Sequence, residues 1–256
     1  MKNNHETILK CASMVEKAES VAVLSGAGVS TSSGIPDFRG PNGIYRRKYD
    51  VDPEMIFDID FFSRDPSFFY KFHREFLEAL EEVSPSYTHK FLAALEREGR
   101  LKGIVTQNID ALHHKAGSQK VLEIHGGVWK STCLSCGKSY DYETSRRKTM
   151  DEDIPRCEIC GGVIKPDIVF FGENVKHLEA SRSIISQADL LFVLGSSLTV
   201  VPAALLPSCC TGRIVVVNKG EVSGAYLPPD RIDLRVEGDL DEFFRGLNEK
   251  LNLTIQ

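Results

Sequence analysis

The sequence predicts an α/β protein built on a parallel, doubly wound sheet, interrupted by a metal-binding module. Short apolar runs rich in β-branched residues recur at 21–24, 101–105, 121–124, 168–170, 190–194, 214–217 and 232–236. Several are separated by helical patterns, the alternation that gives parallel strands covered by helices on both faces. Gly26-Ala27-Gly28 follows directly on the first run, where glycines let the backbone turn sharply and approach a ligand closely.

Taken along the chain, Ile8, Cys11, Ala12, Val15 and Ala18 fall at helical spacing and predict a helix before the first strand. The loop after that strand continues through a Ser/Thr cluster to Gly34-Ile35-Pro36-Asp37-Phe38-Arg39. A Gly-x-Gly after a strand also describes ordinary tight turns. A dinucleotide dehydrogenase would carry Asp or Glu about 20 residues further on, where this chain has Arg46 in a segment rich in Gly, Pro and basic residues. The loop suits a dinucleotide but not ordinary hydride transfer. The aromatic segment 57–80, with Phe61, Phe62, Phe68, Phe69, Tyr70, Phe72 and Phe76, reads as helices packing an apolar lid rather than as a cofactor box. Ser84-Pro85 opens a helix that runs to Leu95 and is stopped by Gly99. A last helix, 239–251, places Leu240, Phe243, Phe244, Leu247 and Leu251 on one face. No internal repeat or low-complexity linker breaks the chain.

At 256 residues, with 42% hydrophobic and 26% charged residues, the composition is that of a soluble globular protein with one large domain or a domain plus a small module. The net charge of −5 lacks the basic footprint of nucleic-acid binding. No run approaches the ~20 apolar residues of a membrane span, and the first residues lack a signal-peptide core. A cytoplasmic location is expected, with no membrane and no direct nucleic-acid partner. Seven unevenly placed cysteines do not describe a secreted disulfide framework.

Four of the cysteines form two pairs, Cys133-x2-Cys136 and Cys157-x2-Cys160, separated by 20 residues. Each pair offers two thiolates, and four complete a tetrahedral Zn²⁺ shell. Gly137 and Gly161-Gly162 follow the two knuckles. Redox cysteines or two disulfides are the competing reading, weaker in a reducing compartment. Such a zinc, one per chain, has no open position and is structural. Cys11, Cys209 and Cys210 have no ligand spacing.

Three further segments follow predicted strands, where α/β sheets place their ligands. Thr106-Gln107-Asn108-Ile109-Asp110 offers an amide and a carboxylate two residues apart, His125-Gly126-Gly127 an imidazole, and Gly195-Ser196-Ser197-Leu198 a second glycine/hydroxyl turn. Singly, Asn108 and Asp110 could cap a helix and His125 could be structural. At the carboxyl edge of one sheet, together, they describe a site.

In order, GAGVS, GIPDFRG, TQNID, HGG, the paired Cys-x2-Cys, PDIVFFGE (166–173), GSSL and VVVN (215–218) resemble the motifs of the sirtuins, NAD-dependent protein-lysine deacylases. The resemblance spans roughly residues 20–240 and points to a prokaryotic-type, single-domain member. It implies a sirtuin-type catalytic domain over 1–256. A Rossmann-like part would take 1–40, 85–128 and 166–256; a smaller part would combine a helical insertion, 41–84, with a zinc ribbon, 129–165. The implied NAD contacts are Gly26, Ala27, Gly28, Thr31, Asp37, Phe38 and Arg39 in the first loop, Phe38 shielding the reacting ribose carbon. Gln107, Asn108, Ile109 and Asp110 would surround the nicotinamide ribose, with Asp110 on the carboxamide. Gly195, Ser196 and Ser197 would meet phosphate or ribose, Asn218 and Lys219 the adenosine ribose, Asp239 and Leu240 the adenine. His125 would act as general base with Asn108 in the catalytic pair, an imidazole of ordinary pKa suiting that task. Val169, Phe171, Gly172 and Glu173 would pair with the peptide and line the acyl-lysine tunnel.

The implied reaction moves the acetyl group of acetyl-lysine to ADP-ribose, releasing nicotinamide and O-acetyl-ADP-ribose, with acetylated proteins or peptides as partners. An ADP-ribosyltransferase, sharing the steps up to glycosidic cleavage, and a non-catalytic NAD- or peptide-binding module are the alternatives. The presence of both His125 and Asn108 argues against the module. Sirtuins that favour succinyl- or malonyl-lysine carry Tyr-x-x-Arg. Here Tyr70-Lys71-Phe72-His73 has histidine at that place, with Arg74 one residue off. An offset of one rotates a helical side chain by about 100°, so neutral acyl groups, acetyl first, are expected.

Overall fold

A computed structural model describes residues 2–36, 52 and 54–256; the expectations for Asp37, Phe38 and Arg39 lie outside them. Six of the described strands form one parallel sheet. They are β1 (Val21–Ser25), β2 (Leu101–Thr106), β3 (Val121–Glu123), β7 (Leu190–Leu194), β8 (Arg213–Asn218) and β9 (Leu234–Glu237), in the order β3-β2-β1-β7-β8-β9. β1 and β7 are buried along their whole length, which explains why they read as continuous apolar runs rather than alternations. β1 runs in register with β7 from Val21↔Leu190 to Ser25↔Leu194.

Each face of this sheet is covered. On one lie α1 (Lys2–Lys17), α4 (Tyr87–Arg97) and α8 (Leu240–Leu251), whose Val15, Phe91, Leu92, Phe243 and Phe244 pack against Val21, Val23, Phe192 and Val215. On the other, α7 (Leu178–Ser186) and the short 203–209 segment close over Ala22, Leu24, Leu191 and Val216. α4 begins at Tyr87, later than Ser84-Pro85 suggests. Its cap is Ser86, whose hydroxyl accepts from the His89 N–H while the His89 ring accepts from the Ser86 N–H, a reciprocal capping box. Asp241 of α8 adds its carboxylate to this helix start, accepting from the N–H groups of Tyr87 and Thr88, each at 2.9 Å.

The smaller sheet is antiparallel, in the order β5 (Ser139–Asp141), β4 (Gly126–Cys133), β6 (Ile164–Ile168). The 168–170 run, expected in the parallel sheet, belongs here instead: Ile168 pairs with Gly126, and Phe170 has left the strand. α6 (Tyr142–Asp151) lies between β5 and β6 in the chain, started by the Asp141 side chain. The aromatic segment folds into α2 (Ile59–Arg64) and α3 (Ser67–Glu82). Their Phe62, Phe69, Tyr70 and Phe72, with Phe57 just before α2, form a third core with Ile109, Val128, Ile168 and Phe170, largely through edge-to-face ring contacts such as Phe62 on Phe170 at 5.3 Å. The packing reading of these aromatics holds.

Three histidines are buried in this framework: His73, His89 and His113. Burial depresses the pKa of His73 to about 3, helped by Arg74, and that of His89 to about 4, against Asp241. It holds His113 well below the ordinary value, helped by His89 and His114. The unfolded chain titrates its histidines near 6.5, so unfolding takes up protons below that pH. The stability linked to these groups is therefore complete above about pH 6.5 and is lost as pH falls toward the folded-state values, roughly 2 kcal/mol each for His73 and His89 at pH 5. The melting temperature should drop between pH 7 and 5. His73→Phe, which keeps a ring stacked on Phe69, should fold and show a shallower drop; an equally steep one would show that His73 does not titrate on unfolding.

Candidate active site and zinc centre

In the order β3-β2-β1-β7-β8-β9 the crossover direction reverses between β1 and β7, and in such sheets ligands bind beyond the carboxyl ends of the strands at that switch point. Gly26–Gly28 and Gly195–Ser197 leave β1 and β7 there. Their glycine N–H groups are not directed outward as a phosphate cradle. Gly26 donates to Leu194 C=O and Gly28 to Gly195 C=O, both at 2.9 Å, knitting the two loops together. Residues 27–29 and 31–33 then form two short 3-10 turns that leave Ala27 and Gly28 half-buried and Thr31 exposed.

β2 delivers the next groups. Gln107 donates its side-chain amide to Ser196 Oγ at 3.0 Å and its N–H to Ser25 C=O at 3.0 Å. Asn108, buried, donates to Gly26 C=O (3.2 Å) and Ser30 Oγ (3.1 Å). Ser30 Oγ in turn donates to Asp110 Oδ2 at 2.6 Å, and Leu112 N–H to Oδ1 at 2.9 Å. Burial raises the Asp110 pKa, against those two hydrogen bonds and Lys115. Ala111 beside it takes a left-handed conformation, φ 62°, a strained backbone of the kind that collects at functional sites. Ser30 thus joins Asn108 to Asp110. Sequence reasoning missed it, because nothing in a Ser/Thr cluster marks which hydroxyl turns inward.

His125, half-buried in the turn between β3 and β4, has its Nδ1 3.0 Å from Gln107 C=O. A carbonyl only accepts, so Nδ1 carries the proton and the neutral ring keeps its lone pair on Nε2. Burial lowers the His125 pKa below the ordinary histidine value expected from sequence, with the Gln107 carbonyl partly opposing. Next to it, Val169 N–H donates to His125 C=O at 2.8 Å. The Phe171 main chain is held on both sides, its N–H by Phe57 C=O (2.8 Å) and its C=O by Ile59 N–H (3.1 Å), while its ring stays 40% exposed. Gly172 sits at φ 93°, and Glu173 closes the turn through its N–H to Phe170 C=O at 3.0 Å. Further along the sheet edge, Asn218 is buried and its amide donates to the carbonyls of Gly220 and Glu221, both at 3.2 Å. Lys219 is exposed beside it. Asp239 caps α8 by accepting from Glu242 N–H at 3.0 Å, and Leu240 is buried. These last two serve the helix and lie at the outer end of the cluster.

In the smaller sheet, the Sγ atoms of Cys133, Cys136, Cys157 and Cys160 all lie within 4.8 Å of one another. Cys133–Cys160 and Cys136–Cys157 are 3.5 and 3.7 Å apart, and all four are free thiols. A tetrahedral Zn²⁺ with Zn–S bonds of about 2.3 Å separates its sulfurs by about 3.8 Å, so the cluster fits a structural zinc, and sulfurs 3.5 and 3.7 Å apart are not bonded as disulfides. Purified protein should carry one zinc per chain by metal analysis. Cys133→Ala should lose it and melt at lower temperature, since three thiolates leave an open, weaker site; zinc-free wild-type protein with four reactive thiols and an unchanged melt would overturn this.

Comparison with known proteins agrees with this geometry. Residues 26–202 match the Sir2 family. The NAD-dependent protein deacetylase of Thermotoga maritima is 43% identical over 243 residues, 93% of this chain and 95% of its own. That of Sulfurisphaera tokodaii is 43% identical over 224 residues, 86% of each chain. Among solved structures, a Sir2 variant with a deacetylated p53 peptide and 3′-O-acetyl-ADP-ribose superposes with a TM-score of 0.89 at 40% identity, covering 96% of this chain and 99% of that one. A Sir2–p53 peptide–NAD⁺ complex gives 0.85 at 40% identity, covering 95% and 98%. The switch-point loops, the His125 strand end and the four-cysteine ribbon thus sit in a chain that belongs to the Sir2 family.

Proposed function

We propose that this chain is an NAD-dependent protein-lysine deacetylase that transfers the acetyl group of acetyl-lysine to ADP-ribose, with release of nicotinamide and O-acetyl-ADP-ribose. The observation that carries the reading is the fixed tautomer of His125: Nδ1–H held by Gln107 C=O leaves Nε2 as a base, beside the Asn108–Ser30–Asp110 network. NAD⁺ supplies a cationic nicotinamide leaving group and, after its loss, the ribose that receives the acyl group. The close-packed glycines lock together the two loops assigned to this ligand, since a Cβ on Gly26 or Gly28 would come within 2.8 or 2.7 Å of Gly195.

Gly26, Ala27, Gly28, Thr31, Asp37, Phe38 and Arg39 are assigned to the diphosphate and ribose, with Gly195, Ser196 and Ser197 opposite. Gln107, Asn108, Ile109 and Asp110 hold the nicotinamide end, and Asn218, Lys219, Asp239 and Leu240 the adenosine end. Asp110 receives the carboxamide through lone pairs that Ser30 and Leu112 leave free. His125 takes a proton from a ribose hydroxyl through Nε2. Val169, Phe171, Gly172 and Glu173 form the peptide side; Val169 keeps its C=O without a main-chain partner among the described residues. The parts 1–40, 85–128 and 166–256 are assigned to the NAD-binding part, and 41–84 with 129–165 to the smaller part. No helix among the described residues is long and apolar enough to cross a membrane, in keeping with a cytoplasmic enzyme acting on acetylated proteins.

Three side chains favour neutral acyl groups. Tyr70 OH donates to Ile164 C=O. His73 is stacked on Phe69 at 5.0 Å and uncharged. Arg74 donates from Nη1 to the carbonyls of Glu152 and Asp153 (3.2 and 3.1 Å). Of the three, only Arg74 is charged, and these carbonyls hold it one position away from His73.

The purified protein should deacetylate an acetyl-lysine peptide only with NAD⁺, and act on a succinyl peptide at least tenfold more slowly, the scale of one unmatched buried charge. Mass gained as ADP-ribose, with the acetyl group retained, would select the transferase instead. His125→Ala should lose turnover by about 10²–10⁴-fold while NAD⁺ binding persists; near-native turnover would remove the base assignment. In the wild type, base function is lost only as pH falls through the lowered pKa, so the acid limb of kcat should lie below pH 6.5. A limb at or above that value would contradict the buried, neutral ring.

A further inference from the structure

Lys165 lies on β6 with its side chain 6% exposed, an unusual place for an ammonium. Its Nζ donates to Ile168 C=O at 2.7 Å and to Glu173 Oε2 at 2.8 Å, and lies 4.1 Å from the centre of the Phe170 ring. The same Glu173 oxygen accepts the Phe170 N–H at 2.8 Å. One buried cation therefore gathers the end of a strand, the ring of Phe170 and, through Glu173, both ends of the 170–173 turn. Neighbouring Phe171 and Gly172 are exposed, and Val169 N–H bonds to His125 C=O.

We infer that Lys165 is a positioning residue for the acyl-lysine peptide, fixing through Glu173 the turn that faces the substrate. Stability alone does not account for it. Burying an ion pair gains little over apolar packing, because desolvation offsets the attraction; what such a pair adds is a defined geometry. Here the geometry belongs to a turn whose Phe171 and Gly172 have little apolar anchorage of their own. Glu173 then serves the peptide side by tying the turn to Lys165 and Phe170. The switch-point loops hang from other strands and share no hydrogen bond with Lys165, so the effect should be selective for peptide over NAD⁺. The inference rests on the deacetylase reading for its substrate but not for its structural core.

The test compares wild type, Lys165→Met, Glu173→Gln and the double variant. Lys165→Met should raise the peptide KM, and the Kd of a fluorescent acetyl-lysine peptide, by about tenfold, while the KM for NAD⁺ stays within about twofold. Zinc content should remain one per chain. The double variant should be no worse than the worse single, as for residues acting as one unit. Amide exchange at Phe170 and Glu173 should quicken, with β1 and β2 unchanged. An unchanged peptide KM, a parallel rise in both KM values, or additive effects would overturn the assignment. If the wild type neither binds nor deacetylates the peptide, the proposed function fails, and exchange at Phe170 and Glu173 still decides whether Lys165 holds the turn: unchanged exchange overturns it.

Discussion

The site depends on one close approach, that of the loops leaving β1 and β7. A side chain on Gly28 would place its Cβ 2.7 Å from Gly195 Cα, and one on Gly195 would meet Val29 N at 2.5 Å. These are distances that packed atoms do not tolerate, so both positions require glycine and the loops can lock only backbone to backbone. Gly195 also has φ 58°, which excludes most side chains for a second reason. Once the loops are locked, Gly26 C=O is available to Asn108 and Ser25 C=O to Gln107. The β2 residues inherit their positions from this contact.

From there, order passes outward through the main chain. Ser25 C=O receives Gln107 N–H, and Gln107 C=O receives His125 Nδ1–H. The orientation of the imidazole is thus set by two carbonyls in series rather than by a carboxylate. A carboxylate there would stabilise the imidazolium and raise the pKa; a carbonyl orients the ring with a weaker pull. Burial then dominates, and the lowered pKa of His125 follows. A base that must be unprotonated to begin its work is better served by this arrangement. The cost is a weaker base in the proton-transfer step itself.

Much of this was legible in the sequence because strand ends and glycines leave local marks. The buried runs are continuous, the loops begin with Gly26 and Gly195, and paired Cys-x2-Cys spacing is specific. What escaped notice depends on long-range placement. Ser30 is one hydroxyl among several in its segment, and only the fold turns it between Asn108 and Asp110. The 168–170 run has the composition of any buried strand, so nothing local assigns it to the antiparallel sheet; its pairing of Ile168 with Gly126 is a tertiary choice. Lys165 looks like an ordinary charged strand residue until Glu173 folds back over it. The inward turn of the glycine N–H groups in the first loop has a related reason. The partner that Gly28 found is the Gly195 carbonyl, 167 residues away along the chain.

The small sheet explains why a structural metal can matter to a site it does not touch. β4 starts at Gly126, the residue after His125, and ends at Cys133; β6 starts at Ile164, which pairs with Cys133, and ends at Ile168, next to Val169. One pair of antiparallel strands therefore has a zinc ligand at one end and the base and peptide turn at the other. At its far end Gly126 holds φ 69° with a Cβ position only 1.9 Å from Asp167 C=O, so the two strands touch where they meet the site. The cysteine end is paired from Ser131↔Pro166 to Cys133↔Ile164, with a register shift between Ser131 and Gly126. The four thiolates close that end. Lys165 sits on the same ladder beside the Cys133–Ile164 pair, opposite Thr132, and its Nζ reaches Glu173 of the turn, which places the turn and the ribbon under a common restraint.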